Sequence, residues 1–304
     1  MFFNTIMTDA EEKYKASVEK SQQEAHEETM WGKPARDIVT GIGNNGGIHP
    51  VRAIWELVQN ARDVVADGKR AKIMFIRKVD SLVFQHDGIP FTHKTIEALI
   101  LQTSSKQSIN NVQVGQYGTG FLTTHMFGLR FRLSAPLKTS EDFPRYFKIP
   151  NFEIDRSATD PERMKKDLHS QWETTQDWGK NYNETTEQPC EHTTFSYLYE
   201  SEQAKLNAKS AFEQAPDMVP FVLTLNRNIE SISFLDEINQ QETIFECRKS
   251  EMDYVENLTD GIIYKYTVHR TRKSKVEGVE DKDLYIYSIT TVHENPLTFQ
   301  KVTN

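Results

Sequence analysis

The chain has 304 residues, enough for one large domain or two ordinary domains with a sizeable hydrophobic core. Its net charge of -8 argues against a broad nucleic-acid-binding surface, and no apolar run approaches the roughly 20 residues that span a bilayer. The first residues do not form a signal-peptide pattern, and the two cysteines have no metal-type spacing. These features favour a cytoplasmic protein without a disulfide framework.

The first predicted element is a polar helix at residues 9–28, rich in Glu, Lys, Gln and Ala. We interpret it as an arm that packs elsewhere in the protein or on a second copy of the chain. Residues 31–34 contain Gly and Pro and are expected to break it. A flexible loop at 44–47 then precedes a second helix, which has its apolar residues at helical spacing over 54–65 and ends near Gly68.

Two strands, at 71–77 and 81–85, are predicted to form a hairpin, and residues 86–91 follow as a tight loop. Thr92 is placed to cap the next helix. Residues 103–114 are polar and without periodicity, so they are predicted to be a loop.

An apolar helix is predicted at 121–127 and a strand at 130–134. Residues 136–191 are mixed and polar, with one helix near 160–173 and a mobile loop at 176–191. The remaining predicted elements are a strand at 193–199, a helix at 203–214, and strands at 221–225, 231–235, 243–247, 261–269 and 284–291.

The last three of these strands are typical of an antiparallel meander. We therefore predict an N-terminal helical arm at 1–35, a main domain at 36–225, and a strand-rich segment at 226–304 that could be the start of a second domain.

Glu56 and Asn60 are four residues apart, so on a helix they project from the same face. A carboxamide oxygen and a carboxylate suit a divalent cation with a phosphate chain, because Asn can ligate the cation and Glu can hold or deprotonate a water. On this run alone a solvated helix face remains the simpler interpretation, since such pairs are common on helix surfaces.

Gly115, Gly118 and Gly120 precede the apolar helix in an arrangement that lets backbone N–H groups approach an anion at a helix N-terminus. The motif does not follow the first strand, as a dinucleotide-binding fold requires. It is not a P-loop either, because Phe121 stands where that motif has lysine.

Taken in order, the Glu-Asn helix, the Asp-Gly loop, a Ser-Ser-Lys segment, the glycine loop and a later threonine resemble the GHKL ATPase superfamily of gyrase, the ninety-kilodalton heat-shock chaperones, histidine kinases and MutL. The chain is most similar to the chaperone-like bacterial ATPases related to the sacsin repeats. The resemblance covers about residues 43–199, and the segments 55–63, 103–106 and 115–121 carry it.

The resemblance implies an α+β fold, a two-layer α/β sandwich with helices on one face of a mixed, mainly antiparallel sheet. It also implies that the protein binds ATP with Mg²⁺ and hydrolyses it slowly to ADP and phosphate. Lid closure, or dimerisation through the N-terminal arm, would then act as a conformational switch on an unknown protein client or partner domain. A nucleotide-binding regulatory module without hydrolysis is the alternative, and a protein kinase is a more distant one.

The resemblance further implies the role of each site residue. Glu56 would be the general base, and Asn60 and Glu56 would hold Mg²⁺. Asp63 would support adenine or the pocket floor, while Ser105 and Lys106 would close over the phosphates. The other nucleotide-binding residues that it implies are Gly115, Tyr117, Gly118, Thr119, Gly120, Phe121 and Thr193. Of these, we interpret the two aromatic residues as packing groups.

The second motif of the family, Asp-x-Gly-x-Gly, is altered in this chain. If Gly88 is matched to the first motif glycine, His86 occupies the aspartate position and Pro90 replaces the second glycine. Either Asp87 accepts the adenine amino group, or His86 does so through a neutral ring nitrogen, or base recognition is weakened. We favour Asp87 among the three.

Overall fold

The computed structural model describes residues 9–102, 120–226, 228–251, 263–274, 285–292 and 295–303. The predicted loop at 103–114 lies outside the described residues. Within them, no helix has the length and apolar character needed to cross a membrane.

The described chain opens with a continuous helical segment. It consists of α1 (Asp9–Glu27), a π-helical turn (Glu28–Gly32) and α2 (Lys33–Gly43). The polar helix is confirmed, but the predicted break at 31–34 is wrong. Pro34 lies just after the π-helical turn, and Gly32 and Lys33 before it already have helical backbone angles. The α1 helix is exposed over residues 11–26, whereas α2 enters the core.

One mixed, open sheet of eleven strands runs through the described residues. Its strands are β1 (Ala71–Arg77), β2 (Ser81–His86), β3 (Arg130–Lys138), β4 (Tyr146–Asp155), β5 (Thr185–Thr186), β6 (Thr193–Leu198), β7 (Ile229–Asp236), β8 (Gln241–Glu251), β9 (Ile263–Ser274), β10 (Tyr285–Val292) and β11 (Asn295–Thr303). Their order is β11-β10-β9-β8-β7-β1-β2-β6-β3-β4-β5. Within this sheet β1 and β7 pair in parallel and the other neighbours are antiparallel.

The predicted β1–β2 hairpin and the antiparallel meander of β8, β9 and β10 are confirmed. The strands β4, β5 and β11 were not predicted. Because β7 pairs with β1, the strands after residue 225 extend the sheet of the preceding domain.

The other helices are α3 (Val51–Asp63), α4 (His93–Leu101), α5 (Pro161–Thr175), α6 (Glu202–Gln214) and α7 (Val219–Leu225), and three 3₁₀ turns lie at Phe121–Phe127, Tyr182–Glu184 and Ala215–Asp217. The strand predicted at 221–225 is wrong, since these residues belong to α7. A short apolar run does not separate helix from strand by periodicity. Here Pro220 stands in the first turn of the helix, and Leu223 is buried as α7 packs on the sheet.

The core lies between the helices and the sheet. Phe75, Phe84 and Phe195 come from three neighbouring strands and pack ring against ring, with centroids 5.2 and 5.7 Å apart for successive pairs. Ile54 and Leu57 of α3 are fully buried in the same cluster. Burying each such side chain contributes about 1.5–3 kcal/mol. The result is an α+β fold compatible with an α/β sandwich.

The predicted mobile loop at 176–191 instead contains a 3₁₀ turn and the two-residue β5. Trp178 is buried, and its ring lies 4.9 Å from that of Phe152. The buried Trp178, together with hydrogen bonds from Arg145 to Thr185 and Tyr182, therefore anchors a segment that has no apolar periodicity.

Candidate functional site

Glu56 and Asn60 lie on α3 at the predicted four-residue spacing. The Glu56 side chain is 22% exposed, and its Oε1 lies 3.5 Å from Nε of Arg52, one turn earlier. Asn60 is buried. Sequence reasoning did not select Arg52, although its four-residue spacing from Glu56 was visible in the chain.

Gly120 lies directly against the Glu56 carboxylate. A Cβ atom at Gly120 would sit 2.4 Å from Oε2 of Glu56, closer than real Cβ atoms approach a neighbour. The backbone of Gly120 is right-handed helical and precedes the 3₁₀ turn, a conformation that any residue can adopt. Glycine is needed here because there is no room for a Cβ atom. The structure thus brings the last residue of the glycine motif onto the Glu-Asn helix.

Two buried polar atoms on α3 have no hydrogen-bond partner, Nδ2 of Asn60 and Oδ2 of Asp63. The other Asp63 oxygen, Oδ1, accepts from Nε and Nη2 of Arg62 at 3.1 and 2.8 Å. Buried polar groups are almost always paired, and an unpaired one costs about 1–3 kcal/mol. An unpaired donor and an unpaired acceptor one helical turn apart therefore fit a polar ligand.

His86 and Thr193 face each other at the end of the sheet, where β2 pairs with β6. Both are buried, and Oγ1 of Thr193 has no hydrogen-bond partner. The His86 ring stacks on Phe195 at 6.2 Å, and its Nδ1 accepts from the Gly88 N–H at 3.1 Å. Burial, with a smaller contribution from His192, lowers the pKa of His86 to about 4, so the ring is neutral at pH 7.

Asp87 is separated from this buried pair. It is exposed, and its Oδ1 accepts from the backbone N–H of Lys72 at 2.7 Å, at the start of β1. The structure therefore places His86, rather than Asp87, beside Thr193.

Gly88 joins this end of the sheet to α3. A Cβ at Gly88 would lie 2.6 Å from Cγ2 of Val64 and 2.9 Å from Nδ1 of His86. The next residue, Ile89, donates its N–H to the Val64 carbonyl at 2.8 Å. The candidate site therefore extends from Glu56 on α3 to Val64, the residue that caps its C-terminus, about 12 Å at the helical rise of 1.5 Å per residue.

Phe121 is buried, and its ring packs edge-on against Phe131 at 6.0 Å, in agreement with its interpretation as a packing group. His125 is also buried, as a core histidine, with Nδ1 at 3.3 Å from the Gly128 carbonyl. Burial, together with the charge of Arg156, lowers the pKa of His125 to about 3. The remaining predicted residues, Ser105, Lys106, Gly115, Tyr117, Gly118 and Thr119, lie outside the described part of the chain.

In the described part of the chain, no group of three or more His, Cys, Asp or Glu side chains could hold a metal ion. Mg²⁺ that arrives with a phosphate chain needs only one or two protein ligands, so Asn60 and Glu56 fit that mode of binding. A search against protein-family models found no match for the chain, and no curated protein matches it.

Proposed function

We propose that the protein is a GHKL-type ATPase that binds ATP with Mg²⁺ along α3 and hydrolyses it to ADP and phosphate. The contact between Gly120 and the Glu56 carboxylate carries this proposal. It joins two motifs that are distant in sequence, at a point where any side chain at Gly120 would displace Glu56. That arrangement supports a phosphate-binding end of the site.

Glu56 has the chemistry of a general base, since its partly exposed carboxylate can accept a proton from a water that attacks the terminal phosphate. Asn60 would supply a neutral oxygen ligand to Mg²⁺. When bound, that ion would offset charge on the phosphate oxygens. Arg52 lies close enough to Glu56 to orient its carboxylate.

The other end of the site would hold the base. His86 and Thr193 offer buried polar groups there, and Asp63 offers an unpaired oxygen on the adjoining helix. Aromatic packing by Phe195 supports the His86 ring. We propose that nucleotide turnover drives lid closure or dimerisation through the exposed α1 arm.

A second candidate is a nucleotide-binding regulatory module that does not hydrolyse ATP. The observation that favours it is the base end itself. There a neutral histidine occupies the position of the family's aspartate, while the exposed Asp87 accepts a hydrogen bond from the Lys72 N–H. This candidate predicts binding without turnover.

Phosphate release from ATP by wild type and Glu56→Gln tests the proposal. We expect the variant to lose about 10²- to 10⁴-fold in rate, because general-base catalysis contributes that much, and to retain nucleotide binding. Glu213→Gln is the matched control, since Glu213 is an exposed helix residue with a surface ion pair. Equal rates for wild type and Glu56→Gln would contradict the catalytic role. Tight binding with no turnover by wild type would favour the regulatory module.

A further inference from the structure

The base end of the site contains a buried histidine whose hydrogen-bonding direction can be assigned from its neighbours. Nδ1 of His86 lies 3.1 Å from the backbone nitrogen of Gly88. A backbone N–H can only donate, so Nδ1 must be the bare, accepting nitrogen of the neutral ring. The ring proton is therefore on Nε2.

The loop that makes this contact is held in place by α3. Ile89 donates its N–H to the Val64 carbonyl at 2.8 Å, and Gly88 packs against the Val64 side chain. Gly88 therefore cannot turn its N–H away from His86 without breaking the packing on α3. This packing fixes the tautomer of His86 and not only its position.

The environment of the ring favours the neutral form. His86 is 5% exposed and stacks on Phe195. The low pKa of His86 that results from burial leaves a single N–H donor at neutral pH. Within the described part of the chain, Nε2 of His86 has no hydrogen-bond partner.

We propose that His86 recognises the base of the nucleotide as a hydrogen-bond donor, so that the site accepts 6-oxopurine nucleoside triphosphates at least as well as ATP. This inference rests on the proposed function, and it extends the class of substrate. It also reverses the role expected for His86, because Nε2–H cannot accept the amino group of adenine.

The chemistry of the purine edge supports this assignment. Adenine presents an amino donor at position 6, whereas guanine and hypoxanthine present a carbonyl acceptor there. An N–H group opposite the adenine amino group meets another donor, but opposite a 6-oxo group it forms a hydrogen bond. The buried Thr193 hydroxyl, which has no partner, can donate or accept and so suits the neighbouring ring nitrogen of either base.

The carboxylate that follows His86 in the chain is hydrogen-bonded elsewhere. Asp87 is exposed and accepts from the Lys72 N–H at 2.7 Å. The donor on His86 is thus the base-reading group that adjoins Thr193 across β2 and β6.

Binding of ATP and ITP by the full chain, measured with Mg²⁺ by calorimetry, tests the inference. The two nucleotides differ in the group at position 6 and the protonation of the adjacent ring nitrogen. We expect wild type to bind ITP as tightly as ATP or more tightly. We expect His86→Asp, which places an acceptor in the same position, to shift the ratio of dissociation constants toward ATP by at least about tenfold.

His86→Asn is a second variant, because its amide offers both a donor and an acceptor. Its ratio of dissociation constants for ATP and ITP should lie between those of wild type and His86→Asp. Wild type that binds ATP at least tenfold more tightly than ITP would overturn the inference while leaving the proposed function intact. Failure to bind either nucleotide would overturn the proposed function, and the inference with it. The wild-type ratio needs no variant, so it decides the question even where a substitution prevents folding.

Discussion

The two ends of α3 differ in charge, burial and hydrogen bonding. At the Glu56 end, a partly exposed carboxylate lies between Arg52 and the backbone of Gly120. At the Val64 end, the neutral ring of His86 and an unpaired hydroxyl are buried beneath a tight loop. One end is thus suited to charged phosphates and water, and the other to neutral hydrogen bonding.

The two ends also differ in how closely their residue types resemble the GHKL motifs. The Glu56 end resembles the GHKL motifs in residue type. The Val64 end departs in residue type, because His86 occupies the position of an aspartate. Under the proposed function, phosphate chemistry and base recognition would vary independently along one helix.

After Glu56→Gln, the largest expected effect comes from adding a methyl group at the Glu56 end. Gly120→Ala places Cβ 2.4 Å from Oε2 of Glu56, so the carboxylate must move. We expect phosphate release to fall about 100-fold, since displacements of this size in a catalytic group have such effects. The free energy of unfolding should change by less than about 1 kcal/mol, because a flexible side-chain end yields and the backbone is already helical.

Gly43→Ala is the matched control, because Gly43 is also helical and a Cβ there would meet nothing within 4 Å. It should leave the rate of phosphate release unchanged. If Gly120→Ala releases phosphate at the same rate as this control, Glu56 does not take part in hydrolysis.

The second expected effect is a pH dependence of stability, to which the buried histidine of the Val64 end contributes. The folded-state pKa of His86 is about 4 and that of His125 about 3, both below the ordinary value of 6.5. The unfolded chain therefore binds more protons as the pH falls below 6.5, and stability decreases toward acid. Each histidine should remove about 2 kcal/mol from the free energy of unfolding between pH 7.5 and 5.

Urea unfolding at the two pH values measures this loss in wild type and in His86→Gln, where we expect about half of the histidine contribution to disappear. His169→Gln is the control for the substitution itself, because His169 is 47% exposed on α5. A pH dependence unaffected by His86→Gln would mean that His86 is not held neutral.

The smallest effect concerns the hydroxyl at the base end. Thr193→Val removes a buried Oγ1 that has no partner, so the free energy of unfolding should stay within about 1 kcal/mol of wild type or rise. Nucleotide affinity should fall about two- to tenfold if the hydroxyl contacts the base.

Thr124→Val provides the contrast. Its Oγ1 donates to the Phe121 carbonyl at 2.7 Å and accepts from the Tyr197 hydroxyl at 2.9 Å. Losing both bonds should cost about 1–3 kcal/mol, observable in the same urea titrations. A destabilisation of Thr193→Val as large as that of Thr124→Val would show that the Thr193 hydroxyl has a structural role.

Elements defined by local interactions were predictable from sequence. Thr92 caps α4 by accepting from the Thr95 N–H at 3.3 Å, as its position before an apolar run indicated. The β1–β2 hairpin follows from two short apolar runs joined by a turn. By contrast, α7 depended on packing against the sheet, and the continuous helix through Pro34 depended on a π-helical turn. Periodicity reveals neither.

Within the site, sequence alone determined that Glu56 and Asn60 share one face of a helix, because the helical repeat sets that relation locally. Only the tertiary structure decided which polar atoms on that face are buried without partners. It also placed Gly120 on Glu56, and it put His86 rather than Asp87 beside Thr193. These outcomes depend on contacts between residues far apart in the chain, and a local repeat contains no information about them.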